Sequence, residues 1–489
     1  MPGPRAITHA DRLAGAVVEG AMGAHHRRRL RRLGQGHRVA PPDDGRLWAA
    51  GAPPPRAGNA VEVLVDGAAA LTEIEWAIRG ARHRVHIAGW ALTPHFPLTR
   101  SEPPVLLREL LAEVAERAEV RVLLWAGAPP HTFTPDRRAV RAARDELVGG
   151  TRIRVALDSR SRALHCHHEK LVIIDDEVAF VGGIDLTLLG GDRFDTHRHP
   201  ARGRLGWHDA TARLRGPAVA DVAAHFGGRW SEVGGEPLDA PPAARPAAGG
   251  VEVQVVRTVP ERQYRFAPAG DFRILEAYLR ALRSAQRLVY LESQFLWAPE
   301  VVGLLAAKLR DPPADDFRVV VLLPARANNG QEDTRGQLAI LADADRDAGR
   351  DAGRFLAATV SARTGRTVDR VYVHAKIGIV DDRWLTIGSA NLNAHSLFND
   401  SEMNLVTCDP ALARGTRLRL WAEHLERDRD AVAGNPTAVV DELWRPTARG
   451  ELERSRRGRR RTHRLIELPP ASRRVDRLLG PLDALVVDG

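Results

Sequence analysis

Lysine is nearly absent from this chain. Of its 71 basic residues only Lys170, Lys308 and Lys376 are lysine, and the others are arginine. Cysteine is as scarce: Cys166 and Cys408 read as free thiols and cannot form a disulfide framework or a cysteine-based zinc site. Aromatic residues make up 5% of the sequence, and none interleave with basic residues in the way that stacks single-stranded bases. No apolar run approaches the roughly 18 residues that would mark a membrane-spanning helix. Residues 13–24 are mildly apolar, but Glu19 interrupts them, Asp11 precedes them, and the arginine cluster at 27–32 follows rather than leads. That order is wrong for a signal peptide, so the expected location is cytoplasmic, with access to a membrane surface.

With 489 residues, the chain exceeds one ordinary core and suits two domains or two fused halves. Its apolar content of 44% and charged content of 27% suit a globular protein. The net charge of +9 favours anionic partners such as phospholipid surfaces, nucleic acid or phosphate esters, although charge alone names no ligand. In so arginine-biased a chain, a retained lysine suggests a place where a compact ammonium fits and a planar guanidinium does not.

Two of the three lysines sit in a repeat. Residues 168–185 read HEKLVIIDDEVAFVGGID, and residues 374–391 read HAKIGIVDDRWLTIGSAN. They align without a gap at an offset of 206 (374 − 168), matching His, Lys, the aspartate pair and the glycines at 182 and 388. The likeness extends upstream, where ARHRVHIAGW (81–90) matches AQRLVYLESQ (285–294). Downstream, HDATARLRGPAVA (208–220) matches SEMNLVTCDPALA (401–413). Strand-like and helix-like runs alternate in each half, which predicts an α/β fold.

The expected organisation is a basic extension over 1–58, a first half over 59–235, a Pro/Ala/Gly-rich linker over 236–250, a second half over 251–446 and a basic tail over 447–489. Both ends are expected to pack loosely or be partly disordered.

The chemistry follows from strand geometry. Side chains two apart share a face, so His168 points with Lys170, and His374 with Lys376. Asp175 and Asp381 complete the His–Lys–Asp motifs, but their odd separation from the histidines makes them structural or network residues. A pseudo-twofold joining the two strands puts two imidazoles and two ammoniums around one cavity. That set suits a phosphodiester: one imidazole attacks phosphorus, the other protonates the leaving alcohol, and the lysines neutralise the non-bridging oxygens. No metal or other cofactor is required. Asp209 and Glu402 occupy equivalent repeat positions and are read as the carboxylates that orient the histidines. Ser389 and Asn391 are read as neutral donors to the phosphate. Their counterparts Gly183 and Asp185 cannot do the same, since Gly183 has no side chain and an ionised Asp185 would repel phosphate. His165 and His167 crowd the first motif and are read as rim or core histidines.

These residues resemble the phospholipase D superfamily, whose mark is the duplicated HKD motif. The resemblance covers roughly residues 60–445, and includes GWALTP (89–94), WHDATARLRGPAVADVAAHFGGRW (207–230), VQVVRT (253–258) and YLESQFLW (290–297). It implies two similar α/β sandwich halves, each a mixed sheet flanked by helices, related by a pseudo-twofold. It also implies a phosphohistidine intermediate resolved by water or an alcohol, with His168 as nucleophile and His374 as general acid, then base. The implied substrate is a glycerophospholipid at a membrane surface, handled by a monomer that carries both motifs. A nucleic-acid partner is disfavoured. The alternatives are a cardiolipin synthase-like phosphatidyltransferase and an HKD-type nuclease.

Overall fold

The computed structural model describes residues 17, 20–129, 134–162, 165–234, 236–238, 246–326, 331–348 and 353–469. Residues 239–245 of the predicted linker and the ends at 1–16 and 470–489 lie outside the described residues.

Eight strands come from the first part of the chain: β1 (Arg56–Val65), β2 (Arg84–Gly89), β3 (Glu119–Trp125), β4 (Arg154–Asp158), β5 (Leu171–Ile174), β6 (Val178–Gly182), β7 (Gly206–His208) and β8 (Ala210–Arg215). Eleven follow: β9 (Val251–Val259), β10 (Asp271–Phe272), β11 (Leu288–Glu292), β12 (Arg318–Leu322), β13 (Phe355–Thr359), β14 (Ser361–Thr364), β15 (Thr367–Val373), β16 (Ile377–Val380), β17 (Trp384–Gly388), β18 (Glu402–Thr407) and β19 (Ile466–Glu467).

The main sheet runs β19-β13-β12-β11-β16-β17-β18-β9-β1-β8-β6-β5-β2-β3-β4, with β10 beside β9. Read outward from the central β9–β1 pair, the two sides have the same plan. Each has an antiparallel block carrying one motif strand, then a parallel trio: β2-β3-β4 on one side and β11-β12-β13 on the other. The antiparallel pairing of β1 with β9 relates the sides as a twofold would.

Helices Gly67–Arg79 and Leu107–Ala115 pack on one face of the first half, with Val172 and Ile174 of β5 in their core. Leu171 and Ile173 point the other way, into a core that includes helices Val219–Val233 and Pro410–Leu425 and runs on into the second half. This burial on both faces explains why the motif strands read as unbroken apolar runs. Among the described residues no helix is long and apolar enough to cross a membrane.

The described parts of the ends, 20–58 and 447–469, differ from the loose packing expected of them. Residues 20–32 are helical. His26 stacks on Phe398 with ring centroids 3.8 Å apart, and Arg29 pairs with Glu261 at 2.6 Å. Near the other end, helix Arg445–Arg456 leads to β19, which pairs with β13. Leu30 and Leu465 are fully buried. The arginine-rich composition of these segments hides a few apolar anchors, and Arg29 and Arg38 pair with the carboxylates of Glu261 and Glu276.

Candidate active site

Each motif strand is fixed by a turn that its own aspartates form. Asp175 and Asp176, and likewise Asp381 and Asp382, hold φ values of 51–52°, as a type I′ hairpin turn requires at both central residues. The Asp175 carboxylate accepts the backbone N–H groups of Arg82, His83 and Arg84 at 2.7–2.9 Å. Asp381 accepts those of Gln286, Arg287 and Leu288, each at 2.8 Å. These carboxylates pin the hairpin to the start of the neighbouring strand, at the end of β5 and β16 away from the histidines. Asp175 and Asp381 thus sit in the turns beyond β5 and β16 and bind backbone there, a structural place set by the turn and not by strand parity.

The histidines come from opposite halves and meet. The His168 and His374 ring centroids lie 6.5 Å apart, at 70° to one another. Each is held by the other half. The His168 backbone N–H donates to the Ser401 carbonyl at 2.9 Å, and His168 Nδ1 lies 2.9 Å from Glu402 Oε1. The His374 backbone N–H donates to the His208 carbonyl at 2.8 Å, and His374 Nδ1 lies 2.6 Å from Asp209 Oδ2. The strand β7, which leads into Asp209, pairs in parallel with β15, which leads into His374. The exchange of carboxylates between halves is therefore built into the backbone. With Nδ1 occupied by a carboxylate, the chemistry of each ring is assigned to Nε2.

Both lysines reach back to the histidine of their own motif. Lys170 Nζ donates to the His168 carbonyl at 2.8 Å, and Lys376 Nζ to the His374 carbonyl at 2.5 Å. Lys170 also pairs with Asp185 at 3.2 Å. At the place equivalent to Asp185, Asn391 donates to Gln294 at 3.2 Å. The two lysines thus carry different local charge balances. The third lysine, Lys308, caps the Ala285 carbonyl at 2.8 Å.

Ser389 departs from its expected role. Its hydroxyl donates to Glu402 Oε2 at 2.5 Å and accepts the Met403 N–H at 3.1 Å, which commits it to the carboxylate and not to a phosphate. Ser396 donates to Glu402 Oε1 at 2.6 Å. In the first half Gly183 replaces the serine because Asp209 fills the space: a Cβ there would lie 2.2 Å from Asp209 Oδ1.

Burial pushes the Asp209 carboxyl up to about 6 against the pull of Lys376. Burial also raises Glu402 strongly, while Lys170 and the Ser389 and Ser396 hydroxyls oppose it. Two hydroxyls and one imidazole converge on Glu402, a donor set suited to its ionised form. Burial, then the charges of Lys376, Arg193 and Lys170, hold the His374 ring well below the ordinary histidine range.

Residues between the paired ones turn away from the cavity. His167 Nε2 lies 3.0 Å from Asp158, and Glu169 pairs with Arg229 at 2.6 Å and His225 at 2.9 Å. His167 is thus a core histidine, whereas half-buried His165 lies beside His395 at 3.2 Å.

Arg193 carries no sequence signal, yet it belongs to the site. It lies over the Trp207 ring at 3.7 Å, and Trp207 in turn packs edge-on against His374 at 4.6 Å. Its Nε and Nη2 bind the Thr187 and Leu189 carbonyls, while the buried Nη1 has no hydrogen-bond partner.

Residues 278–422 match the family described as cardiolipin synthase, PLD-like domain. The chain is similar to phospholipase D A of Dictyostelium discoideum, 26% identical over 76% of this chain and 36% of that one. It is also similar to phospholipase D alpha 1 of Brassica oleracea var. capitata, 26% identical over 71% of this chain and 63% of that one. The chain therefore spans about a third to two thirds of the length of these relatives. In three dimensions it resembles a phosphatidylserine synthase of Haemophilus influenzae Rd KW20, with a TM-score of 0.50 and 14% identity over 74% of this chain and 84% of that one. That likeness bears on the fold. The sequence matches span both halves that supply the paired histidines, and with the duplicated motif they support the phospholipase D superfamily.

Proposed function

We propose that this chain is a phospholipase D-type phosphodiesterase that cleaves the head-group ester of glycerophospholipids. The observation that carries the reading is the pair of facing imidazoles, each backed at Nδ1 by a buried carboxylate of the other half. His168 Nε2 attacks phosphorus, and the bond from phosphorus to the head-group oxygen breaks as His374 delivers a proton to that oxygen. His374 then takes a proton from water, whose oxygen displaces His168 and releases phosphatidic acid. An alcohol in place of water gives the transfer product. Lys170, Lys376 and Arg193 stabilise the non-bridging oxygens, with Asn391 as a neutral neighbour. The cations that keep His374 deprotonated are those a bound phosphodiester offsets, so the substrate itself promotes protonation of the acid.

A cavity of about 260 Å³, lined mainly by apolar residues that include Leu92, Leu124, Val140 and Leu189, supports a lipid substrate. It shares Ala91, Leu92 and Leu124 with a narrower cleft that reaches Lys170 and Asp185. An apolar wall beside a phosphate site suits an acyl chain better than a nucleotide. The protein is expected to act as a monomer at a membrane surface.

The test is incubation with phosphatidylcholine vesicles, phosphatidylglycerol vesicles and supercoiled DNA, each with ethanol, and product analysis by mass. Choline with phosphatidic acid and phosphatidylethanol is the expected outcome. Cardiolipin from phosphatidylglycerol without choline release would favour the phosphatidyltransferase, and nicked DNA without lipid turnover would favour the nuclease.

A further inference from the structure

Behind the His374 side of the site lies a second cluster with no part in the chemistry above. Asp66 follows β1, His199 lies between β6 and β7, His208 ends β7, and Glu423 is in the last turn of helix Pro410–Leu425. All four are buried, and one ligand atom from each lies within 4.8 Å of the others. His199 Nε2 is 3.2 Å from Glu423 Oε1 and 3.7 Å from Asp66 Oδ2. His208 Nδ1 is 3.4 Å from Glu423 Oε1 and 3.0 Å from Asp66 Oδ1. A tetrahedral zinc ion with nitrogen and oxygen ligands at about 2.0–2.1 Å has ligand–ligand edges of about 3.3–3.4 Å. The four separations fall on either side of that value, with Asp66 presenting Oδ2 to His199 and Oδ1 to His208.

Three independent features point to a ligand. Asp66 stands at the N-cap of helix Gly67–Arg79, yet its side chain makes no cap bond, and its buried Oδ2 has no hydrogen-bond partner. Asp66 and His199 both hold positive φ, 65° and 38°, a cost that the surroundings must repay. The second ring nitrogen of each histidine also faces a carboxylate. Asp195 lies 3.2 Å from His199 Nδ1, and Glu292 lies 2.9 Å from His208 Nε2. Carboxylates in that position typically orient metal-ligating histidines.

We propose that Asp66, His199, His208 and Glu423 form a structural zinc(II) site. Two nitrogens and two oxygens in a closed, buried tetrahedral set suit zinc, which has no geometric preference of its own to oppose them. The site braces the active centre. The Asp66 N–H donates to the Asp209 carbonyl at 2.7 Å, and the His208 carbonyl accepts the His374 N–H. Zinc held there fixes the peptide that carries the carboxylate of His374, while the reaction itself uses no metal. The sequence holds no trace of this site, because its ligands come from three distant stretches, with only His199 and His208 near one another and at no motif spacing.

The full chain, expressed in zinc-supplemented medium and purified without chelator, should contain one zinc per chain by elemental analysis. Cobalt(II) exchanged into it should show the visible bands of a tetrahedral centre. Asp195→Asn should weaken zinc affinity by roughly 10–100-fold, and His199→Ala should abolish stoichiometric binding. His165→Ala, which alters the separate His165, His395 and Asp400 cluster, should leave zinc content unchanged. Should His199→Ala not fold, Glu423→Gln, which keeps the side chain's shape, must lose the tetrahedral cobalt spectrum. Wild-type protein without zinc, and without a rise in Tm when zinc is added, would overturn the proposal. So would equal zinc content in wild type and a folded His199→Ala.

Discussion

His374 of the second motif lies 2.6 Å through Nδ1 from Asp209, a residue of the first half, and His168 is paired in return with Glu402 of the second. Neither half therefore holds a complete catalytic unit. This crossing makes the two carboxylates separable in their effects. Asp209→Asn should impair the proton-transfer role of His374, and Glu402→Gln the nucleophilic role of His168, each by about 10²–10⁴ in kcat. Each carboxylate variant should be far less than additive with alanine at its own histidine, since both changes disable one unit. Full additivity within a crossed pair, measured in a double-mutant cycle, would contradict the assignment.

The pairing also sets a pH dependence. Asp209 is raised by burial to about 6, so it must ionise before it can accept the His374 N–H. The expected profile of kcat/KM has an acid limb near pH 6 that is lost in Asp209→Asn. The stability effect has the opposite sign from an ordinary aspartate. Between about pH 4 and pH 6 the folded chain holds a proton that the unfolded chain has released. This group therefore lowers stability as pH rises through that window, and adds no further change above it. Denaturation midpoints from pH 4 to 7, compared between wild type and Asp209→Asn, check the sign.

Much of this site was legible before the fold was seen. Two gapless motifs and the rarity of lysine mark His168, Lys170, His374 and Lys376, while Asp175 and Asp381 lie in turns that parity in a regular strand does not describe. The crossing was not legible: Asp209 and Glu402 are equivalent in the repeat, so pairing within a half and pairing across halves fit the sequence equally. The β7–β15 pairing and the His167–Ser401 bridge, both between halves, decide it. Ser389 was misread because a hydroxyl in a motif gives no sign of which acceptor takes its proton. Arg193 and His199 were invisible because one arginine among so many, or one histidine in a loop, has no pattern of its own.

Lys376→Arg should fail despite keeping the charge. The ammonium sits 2.5 Å from the His374 carbonyl in a buried place, where a planar guanidinium would displace the phosphate from attack geometry. A loss of about 10² or more in kcat is expected from steady-state rates.

Asp175→Ala should separate structure from chemistry. It removes the acceptor of three backbone N–H groups and puts alanine at a φ of 52°. The expected cost is on the order of 2 kcal/mol in denaturant unfolding, with kcat per folded molecule close to wild type. A collapse of kcat at unchanged stability would place Asp175 in the chemistry after all.

The central claim is that one histidine from each half acts at one phosphorus atom in distinct roles. Acid-quenched single turnover, followed by location of the phosphorylated peptide, tests it most directly. The account predicts a phosphatidyl adduct on His168 in the wild type and none in His168→Ala. The adduct should accumulate in His374→Ala when the substrate has a p-nitrophenol leaving group, because His374 must also activate the incoming water. An adduct on His374 in the wild-type protein would contradict the assignment of roles, and turnover with no adduct on either histidine would contradict the covalent mechanism.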